Sequence, residues 1–268
     1  MSNVVIIGGG AAGMAAAIGA AGAGHQVSVY EKNEKLGKKI YITGKGRCNV
    51  TNGCDVEDFF GHVVTNGKFL YSAVYGFTNQ DVMDLLEECG CPLKIERGER
   101  VFPVSDKSSD VISALAGKLR KERVSVYLNE PVKEILTEDG RAVGILLEKS
   151  GRRVPADAVI VATGGLSYPA TGSTGDGYRF ARELGHTVTA LSPALVPFVC
   201  AEEDVTRLQG LSLRNIEVTV RNGKKILWKE FGEMLFTHFG VSGPVVLSAS
   251  SYAAKVIKKT PLLMEIDL

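Results

Sequence analysis

A chain of 268 residues, 45% hydrophobic and 23% charged, has enough apolar material for one large or two modest domains. Its net charge of +1 provides no basic field for nucleic acid or an acidic membrane surface, and no apolar run approaches the ~20 residues that span a bilayer. The five cysteines, Cys48, Cys54, Cys89, Cys91 and Cys200, have neither zinc-ribbon nor redox C-x-x-C spacing, and with four scattered histidines they predict no metal site.

The first stretch organises the rest. Val4-Val5-Ile6-Ile7 reads as a buried parallel strand, so the N-terminal apolar run is expected to be a strand and not a signal peptide. A glycine turn and an Ala-rich segment of high helix propensity follow. Gly8, Gly10 and Gly13 fit G-x-G-x-x-G. In that pattern the first glycine permits the turn, the second lets a pyrophosphate approach the backbone, and the third lets helix and strand pack closely. The unpaired N–H groups near Ala11 and Ala12 are expected to face phosphate. A second strand, Gln26–Tyr30, ends on Glu31, 18 residues beyond Gly13, where the fingerprint places the ribose-binding acid. An acid there suits two free ribose hydroxyls and repels a 2′-phosphate, which favours FAD or NAD over NADP. The alternative, a tight Gly-rich turn in an ordinary α/β unit, explains fewer of these features together.

From Lys32 to Asn52 the chain is basic and glycine-rich, with Gly44, Gly46, Arg47, Asn49, Thr51 and Asn52 closely spaced as an anionic or heteroaromatic ligand requires. Helical patterns are expected around Lys68–Gly76 and Asn79–Cys89, and from a cap at Ser108 or Ser109 to about Glu122. Ser125–Leu128 reads as the third strand of the nucleotide domain. Residues 132–154 form a predicted β-meander, and Ala158–Ala162 a strand returning to the parallel sheet and ending at Thr163-Gly164-Gly165. A second glycine loop, Gly172–Gly177, opens a helix over Tyr178–Leu184 and serves equally as a ligand loop or as a helix start with Asp176 at its N-terminus.

The texture changes near Ser192. Short strands are predicted at Leu195–Val199, Ile216–Val220 and Lys225–Trp228, with Gly232–Pro244 as a substrate- or flavin-facing loop containing Thr237, His238 and Ser242. The division expected is an FAD-binding Rossmann-like domain over 1–191 and an inserted β-barrel-like domain over 192–268. The alternating strand at the end, Pro261–Leu268, reads as a chain that stops inside that insert.

Four motifs in order, GGGAAG at Gly8–Gly13, TGKGRCNVTN at Thr43–Asn52, ATGGLSYPATGSTGDGY at Ala162–Tyr178 and GEMLFTHFGVSGP at Gly232–Pro244, resemble the bacterial HI0933-like flavoproteins. The resemblance covers essentially the whole chain. That family includes FAD-dependent enzymes described as aminoacetone oxidases and as 3-dehydro-bile-acid reductases. The resemblance implies that Glu31 holds the adenosine ribose with Lys32 beside it, and that Gly10, Ala11, Ala12 and Gly13 hold the pyrophosphate. It further implies that Val132 holds the adenine through its backbone, that Ala162, Thr163 and Gly164 form a second FAD-contacting turn, and that Lys45–Asn49 lie along the cofactor towards the flavin. The family's closing segment against the flavin ring and its helical module are absent from these residues.

The expectation is therefore a cytoplasmic FAD-dependent two-electron oxidoreductase acting on a small organic substrate, with no nucleic-acid or membrane partner. NAD(P)H would be a transient electron donor, since only one full G-x-G-x-x-G is present. No catalytic residue is assigned. Reduction of an enone or steroid-like ketone is the leading reading; an amine oxidase producing peroxide, or a fragment without activity, are the alternatives.

Overall fold

In the computed structural model, which describes residues Met1–Leu268, strand β1 (Asn3–Ile7) lies inside a four-stranded parallel sheet. Its side chains alternate between two buried faces. Val4 and Ile6 join one apolar cluster, Val5 and Ile7 another, so neither face tolerates a polar residue. Helix α1 (Ala11–Gly22) leads to β2 (Gln26–Tyr30), after which the chain leaves the sheet. It runs through α2 (Lys38–Ile42), β3 (Thr51–Asn52), α3 (Val56–Gly61), α4 (Gly67–Gly76), α5 (Asn79–Glu88), β4 (Leu93–Glu96), β5 (Arg100–Pro103) and α6 (Ser108–Lys121), and then re-enters at β6 (Ser125–Tyr127). The antiparallel meander β7 (Val132–Glu138), β8 (Arg141–Leu147) and β9 (Arg153–Pro155) follows, then β10 (Ala158–Val161) and α7 (Asp176–Glu183).

The parallel order is β10-β1-β2-β6. One face is covered by residues of α1, α5 and α6, including Met14, Leu86, Val111, Leu115 and Leu119; the other meets the meander and Phe180 of α7. A parallel sheet covered on both faces needs apolar side chains on both, as the run Val4–Ile7 supplies. Helix α5 begins with a reciprocal cap: Asp81 N–H donates to Thr78 Oγ1, and Thr78 N–H donates to Asp81 Oδ2 at 2.6 Å. Ser108 differs from expectation. It is the first residue of α6, not its cap, and its hydroxyl donates to the Tyr41 carbonyl at 2.9 Å.

Clustering of the backbone divides the chain into residues 1–62 with 67–188, and residues 63–66 with 189–268. The second unit contains β11 (Phe198–Val199), α8 (Asp204–Arg207), β12 (Ser212–Asn222), β13 (Lys225–Thr237), β14 (Gly240–Ser242), α9 (Pro244–Ala253) and β15 (Leu263–Asp267). Its five strands form a sheet of order β11-β14-β13-β12-β15, antiparallel throughout. Here the sequence reading needs correction. Residues 232–244 are not one loop: β13 continues to Thr237, turns through His238 and Phe239, and returns as β14. Met234 and Phe236 point into the core while Leu235 does not, a period-2 pattern that the neighbouring glycines disguise. Helix α9 was not predicted. Most of its residues are small or β-branched, and Pro244 at its first turn signals it. Val245, Val246 and Ala249 of α9 close the core over Ile216, Val218 and Val220. No helix is long and apolar enough to cross a membrane.

Candidate functional site

The carboxyl ends of β1, β2 and β10 open on a cleft of about 960 Å³, the position at which open parallel sheets bind ligands. Gly8 begins it in the left-handed region, φ +108°, with its N–H donated to the Tyr30 carbonyl at 2.8 Å. Any side chain on Gly8 would meet the Ala162 carbonyl group, the first residue after β10. Gly13 is the packing glycine: a Cβ there would overlap the carbonyl oxygen of Gly8. Gly10 is the reverse case. It has an ordinary extended backbone, φ −81°, and nothing lies within 4 Å of where its Cβ would be. Helix α1 has no side-chain cap and no acidic residue in its first turn, so its leading N–H groups keep no acceptor from the chain itself. An uncapped helix start beside a glycine with no neighbouring atom offers unpaired N–H donors of the kind that suit an anion.

Glu31 is buried, 7% exposed. Its Oε2 accepts from the Gly9 N–H at 2.6 Å, and its Oε1 from the Asn33 backbone N–H at 2.8 Å and the Asn33 side-chain amide at 2.6 Å. A carboxylate has roughly four acceptor positions, so Glu31 spends one on the glycine turn and two on Asn33 and has one left. Next to it, Lys32 Nζ donates to Thr174 Oγ1 at 2.6 Å and pairs with Asp176 Oδ2 at 2.7 Å. Asp176 occupies the first turn of α7 without capping it, and its carboxylate ties the second glycine loop to the end of β2.

Gly8, Gly10, Ala11, Ala12, Glu31, Lys32, Cys48, Asn49, Val132, Ala162, Thr163 and Gly164 all line this one cleft, with Gly13 packed beneath it. Lys45, Gly46 and Arg47 do not. Residues 44–48 turn through four left-handed positions, Gly44, Lys45, Gly46 and Cys48, which carries Cys48 and Asn49 to the cleft and Arg47 away from it. The Arg47 guanidinium lies over the Phe102 ring, 4.2 Å from its centroid, and is bonded by Glu96 and by Asp106 at 2.6 Å. Lys94 reaches the same Asp106 at 2.7 Å. Burial pushes the Cys48 thiol up. Sequence reading missed Asn33, Lys38, Lys39 and Glu130, all of which line the cleft. Asn33 carried a signal, since Asx side chains two residues from a turn acid bond locally; the others carried none.

The ion cluster at Arg47 has a testable consequence. Its hydrogen bonds hold Glu96 below the usual carboxylate range, and those of Lys94 and then Arg47 do the same for Asp106. Groups with depressed folded-state values stabilise the fold at neutral pH and lose that contribution as pH falls through those values. All three groups are about a third exposed, so the effect is modest. Arg47→Met is expected to lower the melting temperature at pH 7, with the difference from wild type vanishing as acid titrates the carboxylates below pH ~4. A difference independent of pH would show that Arg47 acts through packing on Phe102.

The sequence model of the family described as "HI0933-like protein Rossmann domain" matches residues 2–258. The chain is 34% identical over 258 residues to a protein of Clostridium scindens named 3-dehydro-bile acid delta(4,6)-reductase, an alignment covering 95% of this chain and 61% of that one. It is 33% identical over 255 residues, 94% of this chain and 61% of the relative, to the Ribosomal RNA dihydrouridine synthase of Haemophilus influenzae. The chain thus spans about three fifths of the length of these curated relatives. Among solved structures, the open conformation of a flavocytochrome c3 fumarate reductase superimposes with a TM-score of 0.58 at 22% identity, over 80% of this chain and 47% of that chain, a likeness of fold. On a match over nearly all its residues, this chain belongs to the HI0933-like protein Rossmann domain family.

Proposed function

We propose that this chain forms the FAD-binding part of a two-electron oxidoreductase that reduces a carbon–carbon double bond conjugated to a carbonyl. The observation that carries the reading is the pairing of an empty glycine cradle at an uncapped helix start with a buried acid at the next strand end. Those residues fit a dinucleotide: Gly10, Ala11 and Ala12 would hold the pyrophosphate, the free position of Glu31 a ribose hydroxyl, and Val132 the base. The bound flavin supplies hydride chemistry, and the protein's part is to position it and exclude water. The glycine turn and the apolar walls of the cleft, among them Val82, Leu85 and Leu115, serve those ends.

The bond reduced is inferred from what two relatives' names have in common. A 3-dehydro, delta(4,6) steroid is an unsaturated ketone, and dihydrouridine is uridine with a ring double bond saturated next to a carbonyl. Both products need hydride at a carbon polarised by a carbonyl. We extend that chemistry to this protein with a small organic substrate and NAD(P)H as transient donor. Five unpaired cysteines fit a reducing compartment, and the reading places the protein in the cytoplasm.

The first test is the visible spectrum of the purified protein before and after added FAD. A flavin spectrum that survives gel filtration is expected, followed by NAD(P)H-dependent loss of a 4,6-dien-3-one chromophore. Peroxide released from an amine substrate, with no dienone reduction, would overturn the reductase reading. Reduction confined to uridine in RNA would overturn the choice of a small substrate.

A further inference from the structure

In the sheet, β1 lies between β10 and β2. Yet the residues that leave β10, 164–175, are fastened to the two residues that follow Glu31 at the end of β2. Asn33 Nδ2 donates to the Thr171 carbonyl at 3.2 Å, and Lys32 Nζ donates to Thr174 Oγ1 at 2.6 Å and to Asp176 Oδ2 at 2.7 Å. Nearer the start, Lys39 Nζ donates to the Ser167 carbonyl at 2.7 Å. The segment therefore spans two strand spacings, about 10 Å, and passes the end of β1. Its Thr171, Gly172 and Ser173 line the same cleft as Gly8 and Gly10. A dinucleotide running from the glycine turn past Glu31 would have that turn on one side and this segment on the other.

What fastens the segment is polar. No residue from Gly164 to Gly172 is buried, and Leu166 and Tyr168 are 53% and 68% exposed. Every backbone hydrogen bond made by residues 164–174 stays inside the segment, among them Thr171 N–H to the Tyr168 carbonyl and Gly172 N–H to the Pro169 carbonyl, both 2.9 Å. It is a self-bonded turn with no apolar side chain anchored in a core, tied down by Lys32, Asn33 and Lys39. Segments with so few buried contacts open at low cost in free energy. Gly164 and Gly175, at φ +74° and +87°, flank it and can absorb a change of chain direction. The Asn33 amide that holds Thr171 also donates to Glu31 Oε1, which joins the segment to the ribose-type acid.

We propose that residues 164–175 form a retaining strap, latched by Lys32 on Thr174 and Asp176, that lifts to admit the dinucleotide and closes to hold it. This rests on the dinucleotide reading proposed above and adds the element that controls entry and exit.

The test uses wild type, Lys32→Met and Asp176→Asn, each confirmed as folded by a thermal melt. Amide hydrogen exchange is followed first, on flavin-free protein. Peptides covering residues 164–174 are expected to exchange on the order of tenfold faster in both variants, the loss of one charge-assisted tie, while β1 and β10 are unchanged. Flavin capture is then timed by fluorescence against rising FAD concentration. In wild type the rate is expected to level off at the rate of strap opening, and both variants are expected to raise that ceiling and release FAD faster. A lysine that only attracted phosphate would slow capture when removed. Exchange unchanged in both variants would overturn the latch, and a wild-type capture rate that climbs in proportion to FAD with no ceiling would overturn the gate. If wild type binds no FAD, the dinucleotide reading falls and the gate with it, whereas faster exchange in the variants would still establish the latch.

Discussion

Gly13→Ala is expected to destabilise the protein severely, while Gly10→Ala leaves the fold intact and abolishes tight FAD binding. Both residues belong to one G-x-G-x-x-G turn, yet their surroundings are opposite. At Gly13 the added methyl would overlap the Gly8 carbonyl oxygen, a backbone atom held by β1 and unable to rotate away. Alanine gains about 1 kcal/mol of helix propensity over glycine, but forced overpacking costs ~1–3 kcal/mol and sometimes more. Here the methyl must prise α1 from the strand on which Met14, Ala17 and Ile18 pack, so the clash wins. At Gly10 the backbone is already in a conformation any residue adopts, and the methyl would meet no protein atom. The stability cost is then that of a poorer helix start, no more than about 1 kcal/mol. What the methyl does occupy is the space over the free N–H groups of α1. Thermal melts without flavin separate the two variants, and FAD titration shows the loss at Gly10. A Gly10→Ala protein that binds FAD like wild type would remove the pyrophosphate from this turn.

That contrast also marks how far the sequence could be read. The spacing of Gly8, Gly10, Gly13 and Glu31 identified the turn, the helix and the acid because each position has one physical requirement that few residues meet. Strand β1 was legible for the same reason, since burial on both faces leaves no alternation to misread. The segment 45–49 was harder. Its composition suited a ligand, but whether Arg47 faced the cleft depended on four left-handed residues and on acids 49 and 59 positions away, Glu96 and Asp106. Long-range pairing of that kind has no local signal. In the second unit, Gly232 and Gly240 read as loop residues in the sequence, whereas they permit close packing: a side chain at Gly232 would meet Val245 of α9, and one at Gly240 the backbone at Phe198. Glycine marks a close approach as readily as a loop.

The acid at the end of β2 carries more than a ligand contact. Glu31→Ala is expected to lower stability in the absence of any flavin by ~2–4 kcal/mol, because it leaves the Gly9 and Asn33 N–H groups without acceptors where burial makes that costly. The same substitution is expected to weaken FAD by ~1–3 kcal/mol, the scale of one charge-assisted hydrogen bond to ribose. Glutamine does not rescue the site. One end of its amide is a donor, and it must face either the Gly9 N–H or the two N–H groups of Asn33, all of which are donors too. Glu31→Gln should therefore lose stability as well, although it keeps the shape of the side chain. Melting the flavin-free variants isolates the brace, and titrating FAD into whichever remains folded isolates the ligand contact. If Glu31→Gln melts with wild type, the glycine turn holds itself and the acid exists for the ribose alone. If it melts well below, the turn is set in place by Glu31 before any cofactor arrives, and the cleft is preorganised by the same side chain that reads the ribose.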